Sequence, residues 1–343
     1  MSYEELHRDA LVVDSHNDTI VAHIRRGNLS LAQGDQGVEG RFSGTISFLR
    51  GHESPREGAE PIQINFPKML QGGIDAGFFA VDVTLARHNH LAYAMDGFGY
   101  LFRDLEQSGA AAAIVRRAND ILRARQQGTP AIVLAIEHAD GTEHSLNVLR
   151  SLYELGVRSI GLTHNVSSAA ADGNLEARDG VGLTHYGRAL VQEMNRLGML
   201  VDLAHVSPSA FFSALEVTTR PVIFSHGNAR ALCDHPRNLS DDQLRALARN
   251  GGVIGLSFVP MFVDKRNPSL ERFLDHVDHV ARVAGVESVS IGSDFDGGGT
   301  LLPDATHMPR ITAGLLERGY GEADIRRILG ENTLRVLGDA IGR

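Results

Sequence analysis

LVVDSHNDTI, residues 11–20, decides how the rest of the chain is read. Three apolar residues lead into Asp14, Ser15, His16, Asn17 and Asp18, so a buried-type strand ends in an imidazole and carboxylates. Strand ends are more often closed by glycine, proline or asparagine. Alone, the segment is either a surface turn or half of a metal site. His16 and Asp18 stand two apart, and residues i and i+2 of a strand point to one side. The pair can therefore hold one cation through a ring nitrogen and a carboxylate oxygen. Asp14 shares that parity but lies deeper; it and Asn17 are read as residues that shape the turn.

Working outward, the same kind of apolar run recurs eight times: ALVVDSH (10–16), AGFFAVDV (76–83), AIVLAIE (131–137), VRSIGLTH (157–164), MLVDLAH (199–205), PVIFSH (221–226), GVIGLSFV (252–259) and SVSIGSD (288–294). Such runs suit parallel strands buried on both faces. Most gaps carry a helical pattern, as in HSLNVLRSLYELG and LERFLDHVDHVARVAG, and several end in the glycine that stops a helix. Eightfold strand–helix alternation predicts an α/β fold, a (β/α)8 TIM barrel of the metal-dependent amidohydrolase type. An open doubly wound sheet is the alternative, but no G-x-G-x-x-G follows the first strand. No linker divides the chain, so residues 1–343 are expected to form one domain. A long excursion at about 27–67, rich in Gly, Ser, Pro and charge, either covers the barrel mouth or is irregular surface.

Barrel active sites gather at the C-terminal ends of the strands. Here those ends carry His16 and Asp18, Glu137, His164, His205, His226 and Asp294. One such histidine means little; six strands ending this way point to a shared centre. His205 and His226 close neighbouring strands and can hold a second ion. Nitrogen and oxygen ligands without thiolate suit zinc, with manganese, iron and cobalt left open. Two ions need a bridge. The chain has only two lysines, Lys68 and Lys265, neither at a strand end where a modified lysine could bridge. Glu137 is at such an end and can give one oxygen to each ion. Asp296 competes with Asp294, which stands nearer its strand. The HNH run at 88–90 follows a strand outside the cluster and is read as a loop. His138, His185, His235 and His307 are read as ordinary surface or supporting groups.

Composition removes other classes. A formal net charge of −9 argues against nucleic acid, which favours a basic face. No apolar run is long enough to span a bilayer. The single cysteine, Cys233, allows no intrachain disulfide. With an acidic, polar first segment, MSYEELHRDA, the chain reads as cytoplasmic. Nothing marks an interface, and a homodimer stays open.

These residues resemble the membrane (renal) dipeptidase family of zinc peptidases, in its soluble, bacterial form. The resemblance spans nearly the whole chain: DSHNDT (14–19), AIEHAD (135–140), GVRSIGLTHN (156–165), LVDLAHVS (200–207), PVIFSH (221–226), HPRN (235–238) and IGSDFDGG (291–298). It implies two zinc ions per chain, one on His16, Asp18 and Glu137, the other on Glu137, His205 and His226. It implies a substrate-side His164 that polarises the scissile carbonyl, an Arg237 that grips the substrate carboxylate, and an Asp294 that serves as acid and base. A hydroxide shared by the two metals would attack the peptide bond of a dipeptide. Arg237 is what would restrict substrates to short peptides, because a planar guanidinium holds a terminal carboxylate by two hydrogen bonds. The chain departs from the animal members, which are secreted, disulfide-bonded and lipid-anchored. Three other readings share the barrel: hydrolysis of N-acyl amino acids or cyclic amides, a mononuclear deaminase, and a non-catalytic binding protein. The second metal set opposes the deaminase, and the intact ligand set opposes the binding protein. Side-chain preference, and a D-residue at the C-terminal side, are left open.

Overall fold

The protein is seen here as a computed structural model that describes residues 1–26, 28–34, 61–86, 89–109, 111–176 and 181–342. Most of the segment 27–67, and His88 of the HNH run, lie outside the described residues.

The strands are β1 (Val13–Asn17), β2 (Ala76–Asp82), β3 (Ala113–Ile114), β4 (Ala131–Glu137), β5 (Val157–Gly161), β6 (Leu200–Asp202), β7 (Ile223–Gly227), β8 (Val253–Leu256) and β9 (Val289–Ile291). Eight of them run parallel in the order β2-β1-β9-β8-β7-β6-β5-β4, and β2 pairs with β4 to close the barrel. The predicted (β/α)8 fold is therefore the observed one. β3 was not foreseen. It adds two residues beside the start of β4, where Ala113 and Ile114 face Ala131 and Ile132, and two residues carry no periodicity to detect.

Helices lie between the strands and are begun and ended by local chemistry. Ser145, Thr184, Ser207, Ser240 and Ser269 each accept an amide hydrogen three residues on, satisfying a donor that the first helical turn leaves free. Gly198 and Gly251 end their helices in the left-handed region (φ 79° and 81°), where a side chain would be strained.

Alternation along the strands sorts two apolar layers. Ala76, Phe78, Ala131, Val133, Ile223 and Val253 share one cluster, joined by Val336 and Leu337 of the C-terminal helix. Phe79, Val81, Ile132, Leu134, Ile136 and Phe224 belong to the layer packed under the other helices. By that parity Asp82 and Glu137 fall with the first set, inside the barrel, and the register sets them side by side on β2 and β4.

The same parity would turn two of the expected ligands the wrong way. His226 shares the parity of Phe224, and His16 that of Val12, both in the helix-facing layer. Register irregularities fall between Phe224 and Gly227 on β7 and between Asp14 and Asn17 on β1. Such bulges re-aim a side chain, and they occur often beside active sites.

Three of the strands that lead to the site end earlier than the sequence suggests. β5, β6 and β9 end at Gly161, Asp202 and Ile291, so His164, His205 and Asp294 stand on the loops beyond them. The reason is local. His205 and Asp294 adopt left-handed backbone (φ 67° and 60°), which no strand can continue through. Strain of this kind in non-glycine residues gathers at functional sites.

Candidate metal centre and active site

Helix 19–25 begins directly after β1, with Asp18 at its N-cap. An N-cap aspartate normally accepts an amide hydrogen from its own helix. Asp18 makes no such bond and turns its carboxylate toward His16, with Oδ2 3.5 Å from Nε2. Glu137, at the end of β4, divides its two oxygens. Oε2 lies 3.9 Å from His16 Nε2, while Oε1 lies 2.9 Å from His205 Nε2 and 3.7 Å from His226 Nε2. One carboxylate thus faces two nitrogen groups with different oxygens.

The second histidine pair is oriented from behind. His205 Nδ1 meets Asn165 Oδ1 at 2.9 Å; the tautomer that donates to this amide oxygen carries no proton on Nε2, the form that can bind a cation. His226 Nδ1 meets the Ser225 hydroxyl at 2.9 Å, and its Nε2 lies 2.8 Å from that of His205. The rings stack in pairs, His16 on His226 at 3.8 Å and His164 on His205 at 4.2 Å between centroids. His164 and Asp294 join the same convergence. Glu137, His164 and His205 form one set with ligand atoms within 4.8 Å of one another, and His16, Asp18 and Asp294 form another.

The loop that carries Asp294 is tied to β1. Asp294 N–H donates to His16 O at 3.0 Å, and buried Asp14 accepts from the Ser293 amide and hydroxyl, both at 2.8 Å. Asn17 Nδ2 donates to Asp14 at 3.1 Å, so the two residues assigned to shaping the turn do so. Gly297 lies against the carboxylates. A Cβ there would collide with Asp18 Oδ2 and Asp294 Oδ1, so only glycine lets both acids reach the centre. Asp296, the competitor, is spent elsewhere. It accepts from Arg26 Nη1 at 3.0 Å and from the amides of Gln63 and Ile64, fixing the return of the excursion onto the barrel. Lys68 pairs with Asp304 at 3.1 Å, away from the cluster. His235 supports Arg237, accepting from its amide at 3.2 Å.

The electrostatics suit cations. Burial, and the negative charges of Asp18, Asp82 and Asp294, push the Glu137 carboxyl well above its usual range, despite His16. Burial raises Asp294 to about 6, with His16 opposing and Asp18 adding. Burial holds His205 and His226 well below the usual imidazole value, with Arg237 adding to it, so both rings are neutral, as metal ligands must be. Burial also opposes charge on His16, but Glu137 and Asp18 outweigh it and push the ring up to about 10, so the carboxylates draw a positive charge to this position and a metal bound there would have to displace the His16 proton. His16 Nε2 and Glu137 Oε1 are buried with no hydrogen-bond partner. Buried polar atoms are seldom left so, and bare nitrogens and crowded carboxylates converging on them fit divalent metal.

Arg237 completes the site. It is 3% exposed, Nη2 donates to His226 O at 3.1 Å, and Nε and Nη1 are buried without partners. Phe262 lies beneath the guanidinium at 5.3 Å. A cavity of about 780 Å³ joins these groups, lined also by Asp82, Leu85, Val259 and Met261. Sequence reasoning missed Asn165, Gly297 and Asp82. Asp82 was within reach of the rule that found the others, since it ends the second strand.

A closed parallel barrel with imidazoles and carboxylates converging at its strand ends is the architecture of metal-dependent amidohydrolases. Its fold matches an amidohydrolase from Pseudomonas aeruginosa over 100% of both chains, at a TM-score of 0.79 and 25% identity. It matches the dipeptidase AC, a metallopeptidase, over 97% of this chain and 99% of that one, again at a TM-score of 0.79 and 25% identity. The family profile described as membrane dipeptidase (peptidase family M19) covers residues 1–341. An uncharacterised dipeptidase of Schizosaccharomyces pombe is 35% identical, over 97% of this chain and 81% of its own. Dipeptidase tcpJ of Claviceps purpurea is 34% identical, over 94% and 76%. The chain belongs to the membrane dipeptidase family, and it is a peptide-bond hydrolase of the metallopeptidase kind. No helix among the described residues is long and apolar enough to cross a membrane.

Proposed function

We propose that this chain is a cytoplasmic dipeptidase, one barrel domain over residues 1–343, working with two zinc ions. His16, Asp18 and Glu137 would hold one ion; Glu137, His205 and His226 would hold the other. When bound, such a pair lowers the pKa of a water so that hydroxide exists near neutral pH, and it polarises a carbonyl. The observation that carries the reading is the divided Glu137 carboxylate, one oxygen facing His16 and the other His205 and His226.

The protein's own groups do the rest. Arg237 has two buried donors aimed at no protein acceptor and receives the substrate's terminal carboxylate through them. His164, beside His205 and half-buried in the cavity, donates to the carbonyl oxygen as it gains charge. Asp294 takes the proton of the attacking water and passes it to the departing amine, as acid–base catalysis requires. Phe262 and its neighbours exclude water from the carboxylate end.

The test is a panel of L,L and L,D dipeptides on zinc-loaded protein, with N-acyl amino acids as controls. Dipeptide turnover well above the controls is the expected result; turnover of the controls alone would refute the reading. Arg237→Ala gives a finer prediction. Removing one partner of a buried charged pair costs about 2–5 kcal/mol, so kcat/KM on dipeptides should fall by about 30-fold or more. The same change should leave dipeptide amides, which lack the carboxylate, little affected. An equal loss on both would mean that Arg237 only supports the fold.

A further inference from the structure

If the protein is a dipeptidase, its substrate carries a second charge, the ammonium at the other end. Most carboxylates around the barrel mouth are already engaged: Asp18 and Glu137 as ligands, Asp294 as acid and base, Asp296 and Asp14 as internal anchors. Asp82 stands apart from these roles. It ends β2 with the interior parity of Ala76 and Phe78, directly beside Glu137. Its Oδ1 accepts from the Thr84 amide at 2.8 Å and the Thr84 hydroxyl at 2.6 Å, which fixes the side chain. Its Oδ2 lies 4.0 Å from His164 Nε2, beyond hydrogen-bond distance, and the residue lines the cavity.

The barrel order places this carboxylate. From β2 to β7 is four steps either way round the ring, through β1, β9 and β8 or through β4, β5 and β6. Arg237 is held at the end of β7 by its bond to His226 O. A fixed anion and a fixed cation thus belong to opposite strands of the ring and line one cavity together with the candidate metal ligands. His164 responds to both: burial lowers its pKa, Asp82 opposes that and Arg237 adds to it.

We infer that Asp82 binds the α-ammonium of the substrate, so that the site reads both ends of a zwitterionic dipeptide. This rests on the dipeptidase reading and deepens it. It says why an N-acyl amino acid, with a carboxylate but no ammonium, would be a poor substrate in the same pocket.

Alanyl-leucine and propionyl-leucine differ only in the ammonium, and they provide the test. On zinc-loaded protein, alanyl-leucine should have the lower KM by about 10- to 100-fold, the worth of a hydrogen bond to a charged group. Asp82→Asn keeps the Oδ1 acceptor for Thr84 and removes the charge. It should raise KM for alanyl-leucine by about tenfold or more, with little change for propionyl-leucine and with metal content and melting temperature preserved. An equal loss on both compounds, seen as a fall in kcat, would mean that Asp82 only positions His164 and would overturn the assignment. So would unchanged selectivity in the variant. If the variant does not fold, the wild-type comparison still decides: equal KM for the two compounds rejects an ammonium site. Failure of the dipeptidase reading looks different, because then wild-type protein turns over propionyl-leucine and no dipeptide.

Discussion

Glu137→Gln is expected to lower zinc binding from two equivalents to one or fewer and to reduce dipeptide turnover by about a thousandfold or more. The size follows from position. Among the described residues, Glu137 is the group whose two oxygens face both nitrogen sets, Oε1 toward His205 and His226 and Oε2 toward His16. Glutamine keeps the volume and one acceptor oxygen but loses the negative charge that would offset two dications, and its amide nitrogen cannot ligate. Histidines left without the bridge would hold at most one ion. Metal analysis of dialysed protein, run beside a dipeptide assay, reads both effects at once. Two retained equivalents with near-normal turnover would remove Glu137 from the centre.

Asp294→Asn is the contrasting case. It should retain metal, because His16, Asp18, Glu137, His205 and His226 are untouched, while kcat falls by about 10²- to 10⁴-fold, the usual worth of a positioned acid–base group. Asparagine also tolerates the left-handed backbone at this position (φ 60°), so the loop keeps its shape. KM should move little. Loss of metal equal to that in Glu137→Gln would make Asp294 a structural ligand and leave the proton transfer to another group.

The barrel was legible because its strands are buried on both faces and read as continuous apolar runs, from ALVVDSH to SVSIGSD. The candidate ligands were legible because barrel chemistry collects at strand ends, so a residue type and a place sufficed. Orientation was not. Simple alternation turns His16 and His226 toward the helices, and only the bulges on β1 and β7 bring them round, which depends on pairing with neighbouring strands. The supporting groups were hidden for the same reason. Asn165 orients His205 from 40 positions away, and Ser293 is bound to Asp14 from 279 away. Gly297 carries no chemistry of its own; its meaning is the space it leaves beside Asp18 and Asp294. The roles of His164 and Arg237 came from resemblance. The structure adds to them the unpartnered donors of Arg237 and the place of His164 between two opposite charges.

Whether the cluster around Glu137 is a two-metal centre that makes the protein a dipeptidase is tested most directly by metal titration. Zinc is added to chelator-stripped protein while alanyl-leucine hydrolysis is followed. The expected result is no activity without metal and a rise that saturates at about two equivalents per chain. Saturation at one equivalent, or full activity in stripped protein, would contradict a two-metal dipeptidase.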